Sequence, residues 1–341
     1  MEISSYNRTK ITILNSILIL MVLYIHSYYT ESDQFQVASF IARFFSGYAF
    51  CGTANRLFFL LAGFLFFNNL HTAKDCYYKI KKRVKSLLVP YLIWNCVFVL
   101  WYIVLGAIPG IKTFVNSDVL SNFDTVYSVI SYLFIQPANF PLWFLRDLMI
   151  LVLFSPLILF ILKKTGIGGV LVYHVIGYFF PIFGFWFVLG AGLAYCTNLE
   201  RIEKVLSPTV VIISSIYFLS GCVYVSLNPE YVMPDILGSL MGFSGLIMVW
   251  RGYDYVIGES SLLTNEKVRS LFGYSFFVYL FHEPAFNIIK KIPVKLFGVS
   301  EPTLILFYII NPLVMFAIAI LLAKLLQRIV PNLYSVLVGG R

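Results

Sequence analysis

Charge is scarce in this sequence. Of its 341 residues only 12% are Asp, Glu, Lys or Arg, while 60% are hydrophobic, against roughly 25% and 45–50% in a soluble globular domain. That shortage excludes an ordinary water-soluble fold, and a mean hydropathy of +0.85 makes lipid the main solvent. Cysteine is sparse too. Cys51, Cys76, Cys96, Cys196 and Cys222 are odd in number and form no C-x-x-C pair, so no disulfide framework and no metal centre is expected. There is no long Ser/Pro/Gly linker, low-complexity tract or visible internal repeat, so residues 1–341 read as a single domain. No small-residue cleavage pattern follows the first apolar run, which reads as a retained helix.

Long apolar runs are abundant. They place membrane spans at about 11–29, 53–70, 86–108, 142–162, 167–180, 182–198, 209–227, 234–250, 271–289 and 303–325. The expected fold is an all-α polytopic bundle of about ten transmembrane helices with no sizeable soluble domain. The fifth and sixth runs are short, and Pro181 between them allows a tight hairpin or one broken helix, which would leave nine. Residues 126–140 are too short to span and end in Pro137 and Pro141, which predicts an interfacial or re-entrant segment. Many of the 33 Phe and 23 Tyr sit near the ends of the runs, as rings at a membrane interface do.

The net charge of +9 belongs to loops. Arg8 and Lys10 precede the first span, and Lys74, Lys79, Lys81, Lys82, Arg83 and Lys85 lie between the second and third, so both regions are assigned to the cytoplasm. The same threading puts both termini inside, with Lys290, Lys291 and Lys295 as a mild violation outside. A basic excess of this kind attracts anionic lipid and gives no reason to expect nucleic acid.

Ionisable groups within spans are costly, so each is a functional candidate. His26 closes the first apolar run and, as a neutral imidazole, suits general-base work; an interfacial histidine bonded to water or headgroups is the alternative. Ser275, Tyr279 and His282 recur at helical spacing and can share one face, followed by Glu283 and by Pro284, which is expected to kink the helix. Such a stripe suits a helix–helix hydrogen-bond network or a catalytic set. Arg146 and Asp147 are adjacent and so point about 100° apart, which favours separate partners over a direct pair. Arg56 is placed similarly at the start of the second span. Both arginines can bind a carbonyl, carboxylate or phosphate, or simply snorkel. The basic run Lys79-Ile-Lys-Lys-Arg-Val-Lys-Ser86 can hold the phosphates of a nucleotide-like cofactor or anchor the chain to anionic lipid.

In order, these stretches resemble the membrane acyltransferase family called acyltransferase 3, which includes bacterial O-acetyltransferases of surface polysaccharides. The resemblance covers nearly the whole chain. It rests on Val22-Leu-Tyr-Ile-His-Ser27, Phe58-Phe-Leu-Leu-Ala-Gly-Phe-Leu-Phe66, the basic run into Leu88-Val-Pro-Tyr-Leu-Ile-Trp94, Pro141-Leu-Trp-Phe-Leu145 and Ser275-Phe-Phe-Val-Tyr-Leu-Phe-His282. It implies transfer of an acyl group, by preference acetyl, from cytoplasmic acyl-coenzyme A to a hydroxyl of a glycan or lipid-linked sugar, in a bacterial inner or plasma membrane. His26 matches the family's essential helix-one histidine, and Lys79, Lys82, Arg83 and Lys85 match its coenzyme-binding basic element. Two positions depart from the pattern: Asn15 stands where many members carry arginine, and Ala62 where serine commonly precedes the glycine.

The expected mechanism has His26 as base. Arg146 first, then Arg56 or the Trp143 indole, stabilises the oxyanion, and Asn15, Asp147, Ser275, Tyr279, His282 and Glu283 form a supporting polar network. The rival reading is a transporter or flippase for a lipid-linked or polymeric saccharide, without chemistry.

Overall fold

The structure is a computed structural model that describes residues 3–28, 34–108, 125–179, 184–258, 260 and 265–340. Among these every regular element is a helix, in keeping with a membrane protein. Helix α1, Ser5–His26, starts at the Ser4 hydroxyl, which accepts the Asn7 N–H and so satisfies one orphan donor of the first turn. A nine-residue helix α2, Gln36–Phe44, follows in a stretch to which the sequence reading gave no element. Next come α3, Gly52–Phe67, α4, Ala73–Arg83, and α5, Val89–Ala107. A short α6, Val126–Ile130, runs into a π-helical turn at Ser131–Ile135, where the sequence predicts a non-spanning segment.

Helices α7, Trp143–Leu153, and α8, Ser155–Thr165, follow, then α9, Gly168–Phe179, α10, Phe185–Cys196, α11, Leu199–Val205, α12, Pro208–Leu227, and α13, Asp235–Val256. The chain closes with α14, Glu266–Phe272, α15, Ser275–Ile289, α16, Ile292–Phe297, α17, Glu301–Ile329, and α18, Pro331–Leu337.

A helix lies at each of the ten stretches read as spans, but among the described residues only four helices are long and apolar enough to cross a membrane unaided: Ser5–His26, Ala73–Leu105, Pro208–Leu227 and Glu301–Ile329. A fifth is obtained by joining the α7 segment to α8, which bend by 57° at their break. The bend has a local cause, since Pro156 in the first turn of α8 has no N–H to continue the ladder. The sixteen residues of α3 reach only about 24 Å at 1.5 Å per residue, short of a ~30 Å hydrocarbon core. Pro181 lies outside the described residues. Helix α15 continues through position 284 to Ile289.

The largest departure concerns the basic run, which the sequence suggests is a loop. It is helical: α4 passes through a π-helical turn at Val84–Leu88 directly into α5. A Thr72–Asp75 capping box opens this rod, and Pro90 falls in the first turn of α5, where a missing N–H does least harm.

The arrangement around α1 positions the site. At its start, the fully buried Lys10 ammonium lies 2.8 Å from Asp254 and 3.2 Å from Glu203, with its charge 3.9 Å from the centre of the Trp250 ring. Tyr6 donates to the same Asp254 at 2.6 Å. Paired in this way, the buried charge ties α1 to α11 and α13 without an uncompensated ion. Helix α15 runs parallel to α1: Ser16 donates to the Phe272 carbonyl at one end, and Lys290 to the His26 carbonyl at the other. Helix α3 crosses α10 at glycines. A Cβ on Gly63 would lie 2.0 Å from the Phe187 carbonyl oxygen, and one on Gly190 2.0 Å from that of Leu60.

Candidate active site

A cavity of about 1260 Å³ runs beside α1, α3, α7 and α15. On α1 it is lined by Asn15, Ile19, Val22 and His26, which recur at intervals of three and four and so form one stripe. The eleven steps from Asn15 to His26 cover about 16 Å. Arg83 lines the cavity together with Phe66, in the last turn of α3, whereas Arg56 lines it from the second turn of the same helix. The walls between are mostly apolar, with Phe58, Leu61, Ala62, Leu65 and Leu148. No Asp or Glu lines the cavity among the described residues.

His26 is the last residue of α1, and its ring meets two side chains of α15. The His26 Nδ1 is 3.6 Å from the Glu283 carboxylate, and its ring centre 5.3 Å from that of His282. Glu283 is held by Asn287, which donates to its other oxygen at 2.9 Å. The oxygen nearest His26 is buried and has no hydrogen-bond partner. His282 is 1% exposed and lies 2.6 Å through Nδ1 from the Tyr279 carbonyl. A carbonyl can only accept, so Nδ1 carries the proton and the neutral ring keeps its lone pair on Nε2. That nitrogen too is buried without a partner. Side-chain atoms of His26, His282 and Glu283 lie within 4.8 Å of one another, close enough to act as one unit.

The other sequence-derived candidates separate into those that reach the cavity and those that do not. Asn15, Arg56, Arg83, Trp143, Ser275 and Tyr279 line it. Tyr279 also donates to the Pro141 carbonyl at 2.6 Å, so part of the Ser/Tyr/His stripe serves helix packing, and His282 sits behind the cavity wall. Lys79 donates to the carbonyls of Phe66 and Asn68 at 2.5 and 2.8 Å, capping the end of α3. Lys82 and Lys85 are exposed and outside the lining, which leaves Arg83 as the cation of the basic run that faces inward.

Arg146 and Asp147, expected to seek different neighbours, instead pair with each other. Nε and a terminal nitrogen of Arg146 both lie 2.7 Å from the same Asp147 oxygen, and the guanidinium also donates to the Ile135 carbonyl. The long arginine side chain folds back across the angle that separates the two Cβ atoms. So engaged, Arg146 is absent from the cavity wall. The one charged residue of the described lining that passed unnoticed in the sequence is Arg43 on α2. Its only signal was a cation on a short stretch between two recognised spans.

Residues 9–326 match the acyltransferase domain family, and the chain belongs to that family. Over 306 residues it is 26% identical to the succinoglycan biosynthesis protein ExoH of Rhizobium meliloti strain 1021, covering 82% of this chain and 77% of that protein. No solved structure matches. An acyltransferase fold in a membrane, with a glycan-pathway relative, is thus the class to which the cavity belongs.

Proposed function

We propose that the chain transfers an acyl group, by preference acetyl, from acyl-coenzyme A to a hydroxyl of a cell-envelope glycan or lipid-linked sugar. The observation that carries this reading is that one cavity joins Arg83 to His26. An arginine at one end, an apolar waist and a basic nitrogen at the other match the three parts of an acyl-coenzyme A: phosphates, pantetheine arm and thioester. Arg83 lies on the cytoplasmic side of a bacterial inner membrane in this scheme, and His26 toward the opposite face.

The Glu283 carboxylate, 3.6 Å from Nδ1, favours the His26 proton on that nitrogen by its charge, which leaves Nε2 as the base. His26 takes the hydroxyl proton of the acceptor as its oxygen attacks the thioester carbonyl. The C–O ester bond forms, the C–S bond breaks, and His26 returns the proton to the departing sulfur. Glu283 balances the imidazolium charge in between. Arg56 and Trp143, both on the cavity wall, are assigned to the oxyanion, a role typically worth ~3–4 kcal/mol per well-aimed donor. Arg146 serves the α7 scaffold instead. A thioester is already activated, so no acyl-enzyme is required.

Purified protein in detergent, given acetyl-coenzyme A labelled in the acetyl group and a glycan fraction from the source envelope, is expected to move label into glycan in proportion to donor consumed. Glycan that binds and moves across a vesicle membrane with no donor present, and never gains label, would instead establish the saccharide transporter.

A further inference from the structure

Arg43 points to the chemistry of the acceptor. Three arginines, Arg43, Arg56 and Arg83, line a cavity to which no described carboxylate contributes. Arg83 stands at the end assigned to the donor. The other two stand at the His26 end, where they gather against the hairpin of α12 and α13. Arg43 donates its Nε–H to the Ser226 carbonyl at 2.8 Å. That bond fixes the side chain and uses one of five N–H donors; the terminal fork makes no further hydrogen bond or ion pair among the described residues. Arg56 passes close to Gly242, where a Cβ would lie 3.4 Å from its Nε, and one of its terminal nitrogens is buried without a hydrogen-bond partner.

This hairpin has acidic residues that could have neutralised the pair. Glu230 and Asp235 are instead exposed and outside the lining, although Tyr231, Val232 and Met233 between them belong to it. Beside the arginines, Tyr48 lines the cavity with 92% of its surface exposed, so this end opens outward and offers an aromatic face. The spare fork of Arg43, with the charge of Arg56 nearby, in a cavity to which no described carboxylate contributes forms a site for an oxyanion, since an arginine fork fits carboxylate or phosphate bidentately.

We propose that Arg43, backed by the charge of Arg56, binds an anionic group on the acceptor, so that the preferred acceptor carries a carboxylate or phosphate. This rests on the functional reading above and adds the acceptor class to it. The negative group is either a carboxylate or phosphate carried by the sugar, or the diphosphate of a lipid carrier, and the two share the same recognition chemistry.

The test is calorimetric titration of the full chain in detergent, with no acyl donor present, against oligogalacturonate, geranyl diphosphate and the neutral maltopentaose. At least one anion is expected to bind about tenfold or more tightly than maltopentaose, as charged hydrogen bonds commonly permit. The tighter of the two identifies the source of the charge. Arg43→Gln should remove most of that preference, and Arg43→Lys, which keeps the charge without the fork, should retain part of it. Coenzyme A affinity should be the same in all three proteins. Maltopentaose binding as well as both anions, or an Arg43→Gln protein with unchanged preference, overturns the proposal. So does a loss of coenzyme A binding in Arg43→Gln, which would make this the donor's site. Because donor and chemistry are absent from the titration, failed acyl transfer and a failed anion site are separate results.

Discussion

His26→Ala is expected to lower the turnover of acyl transfer by about 10²–10⁴-fold, the usual contribution of a positioned general base, while coenzyme A binding stays within about twofold of wild type. The separation follows from the length of the cavity. His26 lies about 16 Å along α1 from Asn15, whereas Arg83 shares the opposite end with the last turn of α3. Removing the imidazole takes away the base and leaves the phosphate end untouched. It also leaves Glu283 without its charge partner, although the Asn287 bond remains to hold that carboxylate. Initial rates of label transfer beside equilibrium binding of coenzyme A read the two effects independently. Full activity in a folded His26→Ala protein would place the base elsewhere.

Gly63→Leu is expected to abolish the folded protein. At this position the backbones of α3 and α10 approach so closely that even a methyl group would stand 2.0 Å from the Phe187 carbonyl oxygen, far inside contact distance. Overpacking a core normally costs about 1–3 kcal/mol because side chains shift aside. Here the obstacle is a carbonyl of a neighbouring helix, which moves only if the helix does. Gly190 meets α3 in the same way from the other side, so no compensating slide along the crossing is open. Small residues at helix crossings are how membrane helices gain packing when no hydrophobic force drives them together. Size-exclusion chromatography in mild detergent should show aggregate in place of the monodisperse wild-type peak; a normal peak with a normal melting temperature would contradict the crossing.

Hydropathy alone placed helices at every apolar run, because backbone groups in lipid must be satisfied within the chain. It could not separate a full crossing from short apolar helices such as α3 and α10. The run from Lys79 to Ser86 reads as a loop by charge. The structure makes it helical, since Lys, Arg and Leu favour helix whatever their solvent. Helix α2 is too short for a span-length window, and Arg43 went with it. His26, His282 and Glu283 were each visible as ionisable groups beside apolar runs. That they meet depends on α15 lying parallel to α1, a tertiary fact held by the Ser16 and Lys290 bonds and absent from any local pattern. Arg146 differs in its partners, since it pairs with the adjacent Asp147 where the angle between neighbours favoured separate ones. Its guanidinium also donates to the Ile135 carbonyl.

The central claim is that donor and acceptor meet from opposite ends of one cavity. It is tested most directly in proteoliposomes of known orientation, with labelled acetyl-coenzyme A and an acidic oligosaccharide supplied on chosen sides. The account expects label transfer only when the donor is on the side of Arg83 and the acceptor on the side of His26. Equal transfer with both substrates on the Arg83 side, and none across the bilayer, would contradict it.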